Sequence, residues 1–322
     1  MKKTVMGFTL IEILTVLAVM AILVGILVPA LNAARNAALN AKQRVQISTL
    51  ENALATFRNE NGYFPTSEPA CIRDCITGKC VSLISPAYSG AQKLAEALLG
   101  WDLLGFHPAS QWRPDGINPC AINPKTKLSD VEIYSIKKTE FFMQRRPRYL
   151  DLEKTSVFPL QQLLSFTPQQ LNGQPIPPPP PLPYTITPIV PPYPRIDRVI
   201  CDVFNRFKVD VGNKRVSAGM PILYYQANPS ALGLQTDPRR DLESTYRYSD
   251  NEDLLLYLAK KISQNEDAAP MVWQRDDFIK YLWDQKITSS DNYWPYKSDS
   301  YILISAGIDG LYGTADDITN FK

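Results

Sequence analysis

Three acidic residues near the end of the chain have the neighbours of a cation-binding loop. Asp309, Asp316 and Asp317 lie among three glycines in SAGIDGLYGTADDITNF. Carboxylates and backbone carbonyls are the oxygen ligands that Ca²⁺ prefers, although the order of acids in an EF-hand is absent. The alternative is a glycine-aspartate turn between two short terminal strands, with solvated acids. Composition alone leaves both interpretations open.

A fourth acid lies where its charge is costly. Glu12 is the one ionisable side chain between Phe8 and Val28, within GFTLIEILTVLAVMAILVGILVPA. About 20 apolar residues in a helix cross a bilayer, and a lone carboxylate there costs roughly 2.5–3.5 kcal/mol. The segment predicts a transmembrane helix whose acid needs a partner. Lys2 and Lys3 precede the apolar run and predict a cytoplasmic N-terminus, with the rest of the chain outside.

The cysteines and the single histidine limit the remaining chemistry. Disulfides in an oxidising compartment are favoured, although the odd number of cysteines leaves one over and the spacing does not define the pairing. A zinc site with His107 is the alternative, but Cys-x3-Cys-x4-Cys lacks the paired spacing of common zinc modules. The candidate disulfide residues are Cys71, Cys75, Cys80, Cys120 and Cys201.

Composition argues against nucleic-acid binding and against most catalysis. The 322 residues include 34 basic and 32 acidic side chains, a formal charge of +2. A nearly neutral chain supplies no field that favours nucleic acid. One histidine removes most Ser-His-Asp and multi-histidine mechanisms, and a cysteine dyad with His107 is much less favoured than a structural role. We therefore expect a protein that is not an enzyme.

The apolar run continues into an amphipathic helix after Pro29. Apolar residues recur at spacings of three and four, and Asn61-Gly62 with Pro65 predicts the C-terminal stop. One helix of roughly fifty residues, kinked or loosened at Pro29, follows from these signals. The predicted apolar positions are Leu31, Ala34, Ala38, Ala41, Val45, Leu50, Leu54 and Phe57.

The rest of the chain predicts an α+β head. AQKLAEALLGWDLLGF, NEDLLLYLAKKIS and QRDDFIKYLWDQK favour helices, the second capped by Asp250 or Asn251. RVICDVFNRFKVD, MPILYYQAN and SYILIS have the β-branched and aromatic residues of strands. The predicted organisation is a leader (1–7), a transmembrane helix (8–28), its amphipathic continuation (29–64), a Cys/Pro-rich insertion (65–219) with a proline-rich segment (173–195), and a C-terminal head (220–322).

The N-terminal segment allows three interpretations. A plain signal peptide cleaved near Ala30 and an ordinary single-pass anchor both leave Glu12 unexplained. The third is a resemblance: MKKTVMGFTLIE resembles the class III signal of type IV pilins and of the pseudopilins of type II secretion. The resemblance implies that a prepilin peptidase cuts after Gly7 and that Phe8 becomes the N-methylated first residue. Glu12 is then the fifth residue of the mature chain.

Cleavage at that position creates a partner for the acid. The new α-amino group of Phe8 lies one helical turn from Glu12, and in a filament it can neutralise the carboxylate of a neighbouring copy. A misaligned subunit leaves a charge unpaired in an apolar bundle. We therefore expect Glu12 and Phe8 to set the register of assembly.

The C-terminal segment carries a second resemblance. Gly307-Ile308-Asp309-Gly310 and Ala315-Asp316-Asp317-Ile318 are similar to two parts of the calcium loop of the major pseudopilin, and PILYY resembles its first head strand. The resemblance implies a Ca²⁺ ion held by Asp316 and Asp317, with Asp309 and nearby backbone carbonyls. The loop is shorter here and lacks a double glycine.

Together the two resemblances imply a pilin fold, in which the long helix packs on an antiparallel sheet. The expected function is a structural subunit of a type II secretion pseudopilus, anchored in the bacterial inner membrane with the head in the periplasm. The expected partners are copies of itself, other pseudopilins, the prepilin peptidase and methyltransferase, and the inner-membrane assembly platform. The alternatives are a type IV pilus subunit for adhesion or motility and a scarce filament-tip binding module.

Overall fold

The chain folds as an α+β structure in the residues that the computed structural model describes: 10–68, 71–73, 80–83, 88–112, 117–118, 131–132, 134, 139–164, 198–211, 214–263, 273–287 and 293–322. The helices are α1 (Leu10–Asn61), α2 (Gly90–Leu99), α3 (Thr139–Phe142), α4 (Leu160–Leu164), α5 (Glu252–Ser263) and α6 (Arg275–Leu282). The strands are β1 (Cys71–Arg73), β2 (Cys80–Leu83), β3 (Ile117–Asn118), β4 (Val131–Glu132), β5 (Val157–Pro159), β6 (Arg198–Ile200), β7 (Phe207–Val211), β8 (Lys214–Ala218), β9 (Leu223–Gln226), β10 (Tyr301–Ser305) and β11 (Ile318–Thr319).

Helix α1 is the single long helix that the pattern predicted. It runs for 52 residues and continues through Pro29. It ends where Gly62 adopts φ +83°, a left-handed conformation that glycine reaches without a Cβ penalty. The Gly62 N–H donates to the Arg58 carbonyl at 2.7 Å and closes the last turn. The predicted stop at Asn61-Gly62 is confirmed.

Only the C-terminal part of α1 is covered by the head. Its buried positions Gln43, Ile47, Leu50, Leu54 and Phe57 alternate at spacings of four and three, which keeps them on one face. The predicted positions from Leu50 onward are therefore confirmed. The earlier predicted apolar positions do not lie on a face that the described head covers: Leu31, Ala34, Ala38, Ala41 and Val45 are all exposed.

A three-stranded antiparallel sheet lies beside this face, in the order β11-β10-β9. Side chains of β9 alternate between two hydrophobic clusters: Tyr224 packs with the α1 and α2 cluster, whereas Leu223 and Tyr225 pack on the opposite face. In β10, Leu303 and Ile304 divide in the same way. Both faces of the sheet are therefore buried, which explains why PILYY and YILIS read as continuous apolar runs.

The region predicted as an insertion contributes to this core. Helix α2 packs against β6 and β9, and its Leu94 and Leu98 join the cluster that contains Phe57. The chain around β6 is hydrogen-bonded to the residues before β9, through Ile222 N–H to the Ile200 carbonyl at 2.8 Å. Thus α2 and β6 are structural parts of the head. The proline-rich segment 173–195 lies outside the described residues.

Two polar residues join distant parts of the chain. Glu51 of α1 accepts hydrogen bonds from Lys297 Nζ at 3.0 Å and from Asn320 Nδ2 at 3.2 Å, which fastens the helix to the C-terminal strand. Asn251 precedes α5 as predicted, but its side chain accepts from Ala91 N–H at 3.0 Å and donates to the Tyr224 carbonyl at 2.9 Å. Asn251 therefore links α2 and β9, and its side chain is not the predicted helix cap.

The burial pattern of α1 predicts opposite results for two substitutions. Phe57 is fully buried among aromatic rings, so Phe57→Ala should destabilise the head by about 3–5 kcal/mol. Val45 is 67% exposed, so Val45→Ala should change the free energy of unfolding by less than about 0.5 kcal/mol. Chemical denaturation of both variants in detergent checks this. An equal loss of stability in the two would contradict the observed helix register.

Candidate functional sites

The first candidate site is the exposed apolar segment, residues 10–31 of α1. Every side chain in it is exposed, although burying one Val, Leu or Ile side chain gains about 1.5–3 kcal/mol. The described residues contain one helix long and apolar enough to cross a membrane, and none of its most apolar stretch is buried in the head. The large side chains are Leu10, Ile11, Ile13, Leu14, Val16, Leu17, Val19, Met20, Ile22, Leu23, Val24, Ile26, Leu27, Val28 and Leu31.

Glu12 lies at the N-terminal end of the exposed apolar segment. It lies two residues after Leu10, where the described part of α1 begins. Thr15 Oγ1 donates to the Glu12 carbonyl at 3.0 Å and stabilises this turn. Gly7 and Phe8 lie outside the described residues. The cleavage and the pairing of Phe8 with Glu12 therefore stay predictions.

The second candidate site is the loop between β10 and β11, which contains the three predicted metal ligands. Asp316 accepts hydrogen bonds from Asp309 N–H at 3.0 Å and from Thr314 Oγ1 at 2.6 Å. Asp309 Oδ1 accepts from Leu311 N–H at 2.8 Å, and Asp317 Oδ2 accepts from Gly313 N–H at 2.8 Å. All three carboxylates thus bind donors of their own loop.

The two neighbouring acids of this loop have opposite electrostatic environments. Burial acts to raise the pKa of Asp316, but hydrogen bonds from Thr314 and from the backbone of Asp309 and Ile308 outweigh it, so the pKa is lowered. Burial raises the pKa of Asp317 to about 7, and the charges of Asp316 and Asp309 add to the effect. The structure therefore holds Asp316 as a carboxylate, whereas Asp317 changes between its neutral and ionised forms near pH 7.

A glycine lets the loop approach Asp316 closely. Gly307 has φ +64°, and a Cβ at this position would lie 2.4 Å from Asp316 Oδ2. Only glycine fits both this backbone conformation and this contact. The glycines that suggested exposed carbonyl ligands are therefore explained, at Gly307, by the packing of the turn.

No group of three His, Cys, Asp or Glu side chains within the described residues is placed to hold one metal ion. Asp309, Asp316 and Asp317 share a loop in which each carboxylate accepts at least one protein donor, as in a glycine-aspartate turn. The buried Asp317 Oδ1 has no hydrogen-bond partner among the described residues. Calcium binding stays a prediction from the resemblance.

Sequence reasoning did not identify the buried acid beneath this loop. Asp202 Oδ1 accepts from the N–H groups of Phe204 and Met220 at 3.1 Å each, and Oδ2 accepts from Ser305 Oγ at 3.1 Å. Burial raises its pKa to about 7. The sequence did contain a signal for its burial, because Asp202 lies inside the apolar run RVICDVF. Asp202 connects β6, the approach to β9 and the end of β10.

The structure places the cysteines in different environments. Cys201 is a free thiol, fully buried in the hydrophobic core, and burial raises its pKa well above the usual range. Cys201 therefore does not belong to the candidate disulfide set. Cys71 and Cys80 have backbones on the paired strands β1 and β2. Cys75 and Cys120 lie outside the described residues, so the pairing of the other four stays a prediction.

Comparison of the chain with known protein families, with curated proteins and with solved structures gives no match. The interpretation of MKKTVMGFTLIE as a prepilin signal therefore rests on the residues themselves. A proposal for function must be argued from the exposed apolar segment and from the head that α1 carries.

Chelation distinguishes the two interpretations of the loop. If the loop binds Ca²⁺, as the resemblance implies, 2 mM CaCl2 should raise the unfolding temperature of the head above its value in 2 mM EDTA, because an ion that binds the folded state alone stabilises it. Differential scanning fluorimetry of the full chain in detergent measures this, and Asp316→Asn should abolish the rise. Equal unfolding temperatures, within about 1 °C, would leave the three acids as residues of a glycine-aspartate turn.

Asp202 predicts that the stability of the head falls as pH rises. Its folded pKa of about 7 exceeds the ordinary 3.8, so between these values the folded chain holds a proton that the unfolded chain has released. The contribution is complete below about pH 4 and is lost through pH 7, at about 1.4 kcal/mol per pH unit. Asp202→Asn retains the acceptor oxygen and cannot ionise. We expect the variant to unfold at a higher temperature than the wild type at pH 8 and at the same temperature near pH 4.

The control for this experiment is Asp253→Asn, at an acid in the first turn of α5. It should follow the wild-type pH dependence. If Asp202→Asn also followed the wild type throughout, Asp202 would be ionised at neutral pH, contrary to its environment.

Proposed function

We propose that this chain is a structural subunit of a membrane-anchored filament, a pseudopilin of a type II secretion pseudopilus with a pilin fold. One observation carries the proposal: α1 is continuous, yet the described head fully buries its side chains only from Gln43 onward and leaves residues 10–31 exposed on every side. A long apolar surface joined rigidly to a folded head needs an apolar partner outside the chain.

Two environments suit the exposed apolar segment. A bilayer covers it in the unassembled subunit, and the helices of other copies cover it in a filament. Because lipid tails are as apolar as leucine, the hydrophobic effect distinguishes poorly between these environments. Close packing and specific polar contacts must then favour assembly. Glu12 is the ionisable group of the segment, and the free amine of a processed Phe8 is the partner that we propose for it in a filament.

The length of α1 fits a subunit that transmits force. At 1.5 Å per residue the helix is about 78 Å long, and the stretch from Val28 to Gln43 spans about 22 Å. This stretch places the head beyond the lipid headgroups and connects it to the exposed apolar segment through one continuous helix. Subunits added at the inner membrane by the assembly platform then push the heads above them outward. The role is mechanical, with the head in the periplasm and the N-terminus in the cytoplasm before processing.

Substitution of Glu12 tests the proposal. We expect Glu12→Ala to insert into the membrane at wild-type levels but to fall at least tenfold in the sheared filament fraction, because the register-setting charge is lost. Glu12→Asp should fall less, since it keeps the charge on a shorter side chain. Quantitative immunoblotting of membrane and filament fractions gives both values. Glu153→Ala, at an exposed acid of the head, is the matched control and should assemble normally.

Mass spectrometry of the mature N-terminus separates processing from assembly. An N-methylated Phe8 in every variant is the expected result. Normal incorporation of Glu12→Ala would refute the register role while leaving processing intact. A mature N-terminus at Leu31 would refute the whole proposal and restore the plain signal peptide.

A further inference from the structure

A cluster of buried polar side chains lies in the head, apart from both candidate sites. We call it the Tyr134 cluster: Glu96, Trp101, His107, Tyr134 and Arg145. The Tyr134 hydroxyl donates to Glu96 Oε1 at 2.9 Å. The rings of Trp101 and His107 lie 6.0 and 6.2 Å from the Tyr134 ring centroid, and Arg145 Cζ lies 5.1 Å from it. Four polar side chains therefore surround one phenol ring.

Each of these four side chains has a buried polar atom without a partner among the described residues. The atoms are Glu96 Oε2, Trp101 Nε1, His107 Nε2 and Arg145 Nε. The exposed fractions of Glu96, His107 and Trp101 are 2%, 1% and 7%. A buried polar group left without a hydrogen bond costs about 1–3 kcal/mol. Four such groups around one ring therefore lower the stability of the folded head unless they have hydrogen-bond partners.

The hydrogen bonds already made show what each free atom offers. His107 Nδ1 accepts from Ala109 N–H at 3.1 Å, and burial lowers the His107 pKa to about 4, so the neutral ring carries its proton on Nε2. Trp101 Nε1 and Arg145 Nε are also donors. Glu96 Oε1 already accepts from Ser110 Oγ and from Tyr134, and Tyr88 is a third hydrogen-bond partner of Glu96. Its Oε2 has no hydrogen-bond partner among the described residues. The cluster thus offers three N–H donors and one carboxyl oxygen.

We infer that the Tyr134 cluster is an internal binding site for a small neutral guest that carries hydroxyl groups, with ordered water as the simplest such guest. A hydroxyl oxygen accepts from an indole or imidazole N–H, and its hydrogen donates to Glu96 Oε2. An anion is disfavoured because the charge of Arg145 is already balanced by Asp102, at 2.7 Å, and Glu96 is acidic. A cation is disfavoured by the three N–H donors. Buried waters typically make about three such bonds.

The loop around the cluster is held in a fixed and strained conformation. Leu103 and Trp112 have φ values of +65° and +55°, which are uncommon for residues other than glycine. Arg146 N–H donates to the Phe106 carbonyl at 2.7 Å and Tyr149 N–H donates to the Leu98 carbonyl at 2.9 Å. These bonds fix the chain that directly follows Arg145. The surrounding structure therefore holds the free donors in place and prevents their collapse onto one another.

Substitution of Trp101 tests whether the site is occupied. If a guest accepts the indole N–H, Trp101→Phe should lower the unfolding temperature of the full chain in detergent micelles by about 2–4 °C, the shift that loss of one hydrogen bond produces in a domain of this size. If the donor has no partner, its removal should raise stability. Trp283→Phe, which removes an unpartnered indole N–H outside the cluster, is the matched control and should cause no loss.

A double-mutant cycle separates hydrogen bonding from a change in packing. Trp101→Phe and Glu96→Gln should be non-additive, because one guest bridges both groups. Additive effects, with a stability gain for Trp101→Phe, would overturn the inference.

Magnetic resonance identifies the guest directly. In the full chain labelled with 15N-tryptophan, the signal missing from Trp101→Phe identifies the Trp101 indole. A cross-relaxation peak between this indole proton and water would show that the guest is water. A shift of the same signal on titration with glycerol or glucose, without the water peak, would show a larger hydroxylated guest. Absence of both results would reject the site. This inference does not depend on filament assembly, since no residue of the cluster belongs to α1.

Discussion

The packing of one face of α1 against the sheet is the contact on which the head depends. From Gln43 to Phe57 the buried side chains of the helix join α2 and the strands β9 and β10 in a single cluster. Because this stripe fixes the rotation of a rigid helix, it also fixes which face every preceding residue presents. The exposed apolar segment is thus oriented by contacts made thirty residues further along the chain, and no contact of its own is needed to orient it.

The sheet supports this packing because both of its faces are covered. Helices α1 and α2 lie on one face, while α5, α6 and the hairpin of β7 and β8 lie on the other. Buried polar groups then connect the layers: Asn251 joins α2 to β9, and Asp202 joins β6 to the end of β10. Each side chain is hydrogen-bonded to backbone groups, so few of its polar atoms are buried without a partner. It can therefore fix how the layers pack at little cost in stability. A carboxyl at such a junction makes the packing of the layers sensitive to protonation.

Local signals in the sequence were sufficient to predict helices and strands but not to predict which of them pack together. The long helix, its stop at Gly62 and the strand at PILYY follow from periodicity and turn residues, which act over a few positions. The partners of Asn251 lie 160 and 27 positions away, and no spacing rule reaches them. The exposure of Val45 has the same reason, since an amphipathic period shows that a face is apolar but not where the head begins to cover it.

The acidic loop shows a different limit of sequence reasoning. Asp309, Asp316 and Asp317 do share one loop, as their spacing indicated, but the directions of their oxygens are set by backbone N–H groups and by Thr314. Composition cannot distinguish a carboxylate that accepts from the backbone from one that awaits a cation. Likewise, the single histidine was expected to be structural or exposed, and it is buried among groups whose hydrogen-bonding capacity the described residues leave unused.

The contact between Glu51 and the C-terminal residues has a consequence for the order of events in synthesis. Asn320 and Lys297 bind Glu51 in the C-terminal part of α1, and β11 packs against the same helix. Helix α1 therefore lacks part of its covered face until β11 has been synthesised. A chain stopped before residue 297 would carry an apolar helix without its closing strand. The covered face of α1 and the strand β11 thus depend on each other, and the head cannot reach its folded state while α1 alone has been synthesised.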